Sequence, residues 1–226
     1  MKTTLNWILL LSLASAGCES GSVPVGHEDH GFEDGVGVDL GTDPWRERRR
    51  MDVDQLDQSI RAVTGGIGWE RWSTADGVPY VRERYFDTFS DTLGVPDYVN
   101  SASEDLTVSL LFEKFLDDAA RDVCRRLADR EAGDGADYDG VAQGIFAPVD
   151  ITGVDPTPAQ IADALASLLL RFHGRLLAPD DLQLGPWQDL YGRLETAVMA
   201  AETPEPRRVW EGVCIALITH PDFFTY

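Results

Sequence analysis

Five stretches of this chain place apolar residues three and four positions apart, the spacing of one face of an α-helix. In the first, Asp52 is positioned to cap a run carrying Val53, Leu56, Ile60 and Val63, and Gly65-Gly66 ends it. The second opens on Ser101-Ala102-Ser103-Glu104, which has capping-box spacing. It continues through Leu106, Leu110, Phe112, Phe115/Leu116, Ala119/Ala120, Val123 and Leu127, with Gly133 just beyond. The third begins Thr157-Pro158-Ala159-Gln160, a cap followed by proline at the first helical position. Ile161, Leu165, Leu168, Leu169 and Phe172 form its face, and Gly174 closes it. A fourth starts at Pro186 with Trp187, Leu190, Tyr191, Leu194 and Val198. The last follows Thr203-Pro204-Glu205-Pro206 and turns Val209, Trp210, Val213, Cys214, Leu217 and Ile218 inward until Pro221. No sustained two-residue alternation competes with these patterns. The expected fold is all-α, an irregular bundle of about five helices.

Between the first two runs, residues 66–100 hold Trp69, Trp72, Tyr80, Tyr85, Phe86, Phe89 and Tyr98. A short helix is expected over Arg82–Leu93, with Phe86, Phe89 and Leu93 turned inward. Trp69, Trp72, Tyr85 and Phe86 are the candidates for a ligand groove. Core cover beneath a long connection is the simpler reading of the same residues.

Charge narrows the function classes. Among 226 residues, 39 are Asp or Glu and 19 are Lys or Arg, a formal charge of −20. Nucleic-acid phosphates need a basic face, so no nucleic-acid partner is expected. A hydrophobic fraction of 43 % with six Trp also argues against wholesale disorder.

The N-terminus reads as an address. Lys2 precedes an apolar stretch from Leu5 to Leu13, and the small residues Ala14 to Gly17 follow, the layout of a secretory signal. That stretch is too short for a bilayer-spanning helix. Ser15-Ala16-Gly17-Cys18 resembles the bacterial lipobox, with Ser15 where Leu is usual. The resemblance implies a signal peptide over 1–17 and a diacylglycerol on Cys18; the alternative is an ordinary cleaved signal with an incidental cysteine. Residues 18–45 are rich in Gly and acids and read as a flexible acidic tether to a helical domain over 46–226. His27-Glu28-Asp29-His30 lacks a scaffold and reads as solvated tether. The basic run Arg46-Glu47-Arg48-Arg49-Arg50 is expected to pair internally with carboxylates, anionic lipid heads being the alternative.

Few motifs point to chemistry. Thr64-Gly65-Gly66-Ile67-Gly68 is glycine-rich but follows a helix and lacks the Lys-Ser/Thr of a phosphate loop. Asp134, Asp137 and Asp139 with Gly140 suggest a weak calcium loop that departs from the EF-hand order. His173, before Gly174, is expected to cap carbonyls at a helix end. There is no C-x-x-C-H, G-x-S-x-G or H-E-x-x-H signature, so neither a cofactor nor a catalytic residue is assigned. Cys124 and Cys214 lie on expected inner faces. In an exported chain they are candidates for a disulfide, with two separate buried thiols as the alternative.

Two segments carry a family resemblance. Arg49 to Gly65 (RRMDVDQLDQSIRAVTG) resembles the R-R-L-T-x-x-x-Y-x-N-T-[IV]-R-D-L-L-G helix of large exported bacterial proteins often associated with cytochrome-c-type domains. Cys214 to Tyr226 (CIALITHPDFFTY) is similar to their A-L-L-x-S-P-x-F-x-Y segment. Leu56 and Gln58 depart from the pattern, and the haem motif is missing. The resemblance implies an exported helical module beside redox or surface-assembly partners, and transfers no catalytic residue.

The leading expectation is a lipid-anchored, non-enzymatic protein of the bacterial envelope, with the outer membrane preferred over the inner. It would touch the membrane through its anchor and serve as a binding or accessory subunit for an envelope protein partner. Two alternatives stand beside it: an enzyme using carboxylates near the aromatic connection, and a calcium- or small-ligand-binding module.

Overall fold

The capping chemistry at Asp52 and Thr157 sets the register of two helices. Each side chain accepts from the backbone N–H three residues on, and Gln55 and Gln160 return the bond. The computed structural model describes residues 49–76, 78–94, 106, 108–134, 144–153 and 156–226, all within one compact unit, Trp45–Tyr226. Among the described residues, seven α-helices account for most of the backbone: α1 Val53–Thr64, α2 Tyr85–Thr88, α3 Leu110–Glu131, α4 Pro158–His173, α5 Gly185–Met199, α6 Arg207–Thr219 and α7 Pro221–Phe224. Short 3₁₀ turns lie at Asp91–Leu93 and Leu182–Leu184.

The protein is mostly helical but not purely so. An antiparallel hairpin, β1 Glu70–Ala75 and β2 Val78–Arg84, occupies the connection after α1. Its register shifts between Arg71 and Trp72, as at a β-bulge. The hairpin corrects the all-α expectation and shortens the expected Arg82–Leu93 helix. Strand β2 runs through Arg84, one helical turn follows, and a 3₁₀ turn ends at Leu93. Phe86 and Leu93 are nevertheless buried.

The long helix α3 also starts later than its apolar pattern suggests. Ser109 caps it, accepting from the Phe112 N–H. Leu106 precedes the helix, and Leu110, expected inward, is 85 % exposed. The expected capping box at 101–104 lies outside the described residues.

Helix α6 is the hub, packing against α3, α4, α5 and α7. Gly212 lets α5 approach closely, because a Cβ there would stand 2.9 Å from the Leu194 methyls. A disulfide joins Cys124 of α3 to Cys214 of α6, with Cα atoms 5.7 Å apart and both residues fully buried. Around it, Leu127, Val123, Val213, Leu217 and Trp210 form the centre of one continuous apolar core.

The two ends of the described body meet. Met51 N–H donates to the Phe224 carbonyl at 2.7 Å. Arg49 and Tyr226 exchange bonds at 3.4 and 3.0 Å, with an antiparallel bridge between Arg50 and Thr225. Arg50 itself is buried. Its guanidinium donates to the carbonyls of Met51 and Leu93 and lies 4.6 Å from the centre of the Phe112 ring.

Candidate functional site

The first turn after α1 is built to receive cations. A helix C-terminus leaves carbonyls without intrahelical partners and carries partial negative charge. Here they meet guanidinium groups from two other helices. Arg130 of α3 donates to the Thr64 and Gly65 carbonyls at 2.8 and 3.0 Å, and Arg126 donates to that of Gly68. Arg171 of α4 donates to the carbonyls of Val63 and Ala62. The glycine-rich segment therefore presents carbonyl oxygens to arginines, the opposite polarity to a phosphate cradle. Gly65 and Gly66 adopt φ of 67° and 98°, which suits glycine. At Gly68 a Cβ would fall 2.2 Å from the Arg61 guanidinium carbon, so any side chain there has to displace the Arg61 end that Glu70 and Asp57 hold.

Next to this clamp an open groove of about 230 Å³ runs between β1 and α3. It splits the four aromatic candidates. Trp72 and Tyr85 line it, whereas Trp69 and Phe86 are buried in the core and are corrected out of the groove. Trp69 packs on Phe86 edge-on at 5.2 Å and on Tyr85 at 5.3 Å, and Phe89 stacks on Phe115 at 5.0 Å. These rings seal the connection onto α3. Strand β1 adds Arg71 and Ser73 to the groove, and α3 adds Asp122 and Arg125.

The two acids of the groove already have partners. Glu70, with its side chain 2 % exposed, accepts from Arg61 Nη2 at 2.8 Å and from Trp72 Nε1 at 3.1 Å. Asp122 accepts from Arg126 Nη2 at 2.6 Å and pairs with Arg125 at 3.1 Å. Burial works against the Arg61 charge, but its bonds to Glu70 and Asp57 outweigh that and hold its pKa above the ordinary guanidinium value. These carboxylates fix side chains in place and orient the indole.

The remaining sequence candidates are dispersed. Asp134 is exposed and paired with Arg207, which also reaches Glu205 at 3.2 Å, so a guanidinium occupies the carboxylate expected to take calcium. Asp137, Asp139 and Cys18 lie outside the described residues. Among those described, no helix is long and apolar enough to cross a membrane.

A grouping that the sequence does not signal forms where α4, α5 and α7 converge. His173, at the last position of α4, places its Nε2 2.9 Å from the Leu217 carbonyl of α6 instead of capping its own helix. The ring of His220 lies 5.0 Å away, and Trp187 sits 5.7 Å from both imidazoles. Asp222 stands beyond His220, with Arg175 3.4 Å from its carboxylate. Burial pushes the His173 pKa below the usual imidazole value, opposed by the Leu217 bond and reinforced by the proximity of His220. His173 and His220 are 47 positions apart in unrelated pattern, and only the packing of α4 on α6 and α7 brings them together.

No family model matches this chain, and searches of curated proteins and of solved structures likewise found no match.

Proposed function

We propose that this chain is an exported, lipid-anchored, non-enzymatic protein that serves as a binding or accessory subunit of an envelope complex. In this reading its long helices form an irregular bundle held off the lipid by residues 18–45. The observation that carries the proposal is the Cys124–Cys214 disulfide at the centre of the core. Disulfides persist in oxidising compartments and are rare in the cytosol, so the bridge supports the export address written in residues 1–18. Acyl chains on Cys18 would supply a durable hold, each buried CH₂ contributing about 0.8 kcal/mol.

We read the groove beside the hairpin as the binding face. Trp72 and Tyr85 offer half-buried aromatic surfaces, and Arg71 and Arg125 offer exposed guanidinium groups on an otherwise acidic chain. That combination suits a partner segment bearing acidic and apolar side chains. Mass spectrometry of the mature protein should find Cys18 as the first residue, carrying a thioether-linked diacylglycerol. A pull-down from detergent-solubilised envelope should recover a stoichiometric partner that Trp72→Ala and Arg71→Glu release. An unmodified Cys18 refutes the anchor, and a monodisperse monomer without partner refutes the accessory role.

A further inference from the structure

Three potential metal ligands come together where α4, α5 and α7 converge: His173, His220 and Asp222 each offer a donor atom, all within 4.8 Å of one another. The state of His173 makes this more than an accidental cluster. Its Nε2 faces the Leu217 carbonyl at 2.9 Å, and a carbonyl can only accept, so Nε2 carries the proton. The lone pair is then on Nδ1, which is buried and has no hydrogen-bond partner. Native interiors rarely leave such an acceptor idle. A ring N–H anchored on a backbone carbonyl, with the other nitrogen left bare, is the arrangement that fixes the tautomer and direction of a metal-binding histidine.

The surroundings fit the same use. Trp187 packs against both imidazoles and limits their rotation. His220 and Asp222 are each 39 % exposed on their side chains, which leaves a path for an ion and a position for water. One existing bond must yield, the 3.1 Å hydrogen bond from the Asp222 N–H to His220 Nδ1, and it lies at the surface. Arg175 remains on the outer side of Asp222, held by Gln183 at 2.9 Å.

We propose that His173 Nδ1, His220 and Asp222 form a binding site for a divalent transition metal of the zinc type, with water completing the coordination. Two imidazoles and one carboxylate select zinc, nickel or copper(II) over calcium and magnesium, which prefer all-oxygen shells. The site is independent of the lipid anchor and of the groove.

The test uses zinc chloride and the full mature chain. The other two of the four histidines, His27 and His30, are removed as His27→Ala and His30→Ala so that the tether cannot chelate. Equilibrium dialysis with elemental analysis should find about one zinc per chain. His220→Ala and His173→Ala should each weaken binding by about a hundredfold or more, and Asp222→Asn by about tenfold. Copper(II) should quench a fraction of the tryptophan fluorescence that disappears in Trp187→Phe, while zinc stoichiometry there is unchanged. His220 is at the surface, so its variant reads the site even where His173→Ala fails to fold. Zinc uptake that is absent, or unchanged in His220→Ala, overturns the proposal. Displacement of zinc by an equal concentration of calcium overturns the donor assignment.

Discussion

Replacing Arg130 by Met tests whether guanidinium groups hold the end of α1. Arg130 is 4 % exposed and donates to the Thr64 and Gly65 carbonyls at 2.8 and 3.0 Å, with Glu131 Oε1 3.2 Å away. Hydrogen bonds to a charged group contribute about 1.5–3 kcal/mol each, so the two carbonyl bonds together amount to about 3–6 kcal/mol. Methionine fills most of the volume and recovers part of the packing. Glu131 would lose this guanidinium but keep the Ile145 N–H at 3.1 Å, so the loss falls mainly on the two carbonyl bonds. The expected net loss is about 3–5 kcal/mol, read by urea unfolding with circular dichroism at constant m-value. Amide exchange should quicken in the last turn of α1 before it quickens in α5. The reference is Arg121→Met on the same helix, where the exposed pair with Asp117 should yield less than about 1 kcal/mol. A loss below about 1 kcal/mol for Arg130→Met would refute the clamp, since the carbonyls would then be satisfied without it.

Other expectations follow from the same packing. The Cys124–Cys214 bridge spans 90 positions, for which loop-closure entropy gives about 4–5 kcal/mol, so denaturation with and without reductant should differ by that amount. The double variant Cys124→Ala/Cys214→Ala should behave like the reduced protein; equal stability in both redox states would count against the bridge. Gly68→Ala places a methyl against Arg61, which Glu70 and Asp57 hold, and should lower stability by about 1–3 kcal/mol in thermal melts. His173, faced by His220, Asp222 and Arg175, has its pKa lowered by burial, so below about 6.5 the unfolded chain takes up the proton first. Stability in chelator should therefore fall from pH 7.5 to 5.5, and His173→Gln should flatten that limb; an unchanged slope would remove the assignment.

Where one face of a helix is buried, the sequence is legible. The runs at 53–63 and 161–172 carry their apolar stripe, their cap and their stop within a few residues, and the run at 209–218 carries its stripe and ends just before Pro221, so local chemistry suffices to place them. The hairpin escapes detection for a physical reason. Among the described residues its strands bury no apolar side chain fully, Val78 and Tyr80 being 64 % and 46 % exposed and the buried position being Glu70, so no apolar two-residue alternation marks them. The dipeptide Asp76-Gly77, a favoured tight-turn pair, is the signal that was there to be read. Leu110 fails in the opposite sense, an apolar residue in register that the first turn of α3 turns outward. For the groove, composition separates aromatics from polar residues but not lining from core. Trp69 and Trp72 are three positions apart, yet one closes the interior and the other lines the groove and donates to Glu70. The arginine clamp is equally hidden, because charge pattern suggests carboxylate partners and gives no sign of carbonyls 65 positions away.

The rungs joining residues 49–51 to 224–226 have a mechanical consequence. Traction applied from the N-terminal side of Arg49 runs along one strand while the body holds the other from Phe224, so the hydrogen bonds are loaded side by side in shear and do not unzip singly. Under such traction residues 224–226 would act as a strain relief for α1 and the core, and deleting Phe224–Tyr226 would pass that load directly to the first helix.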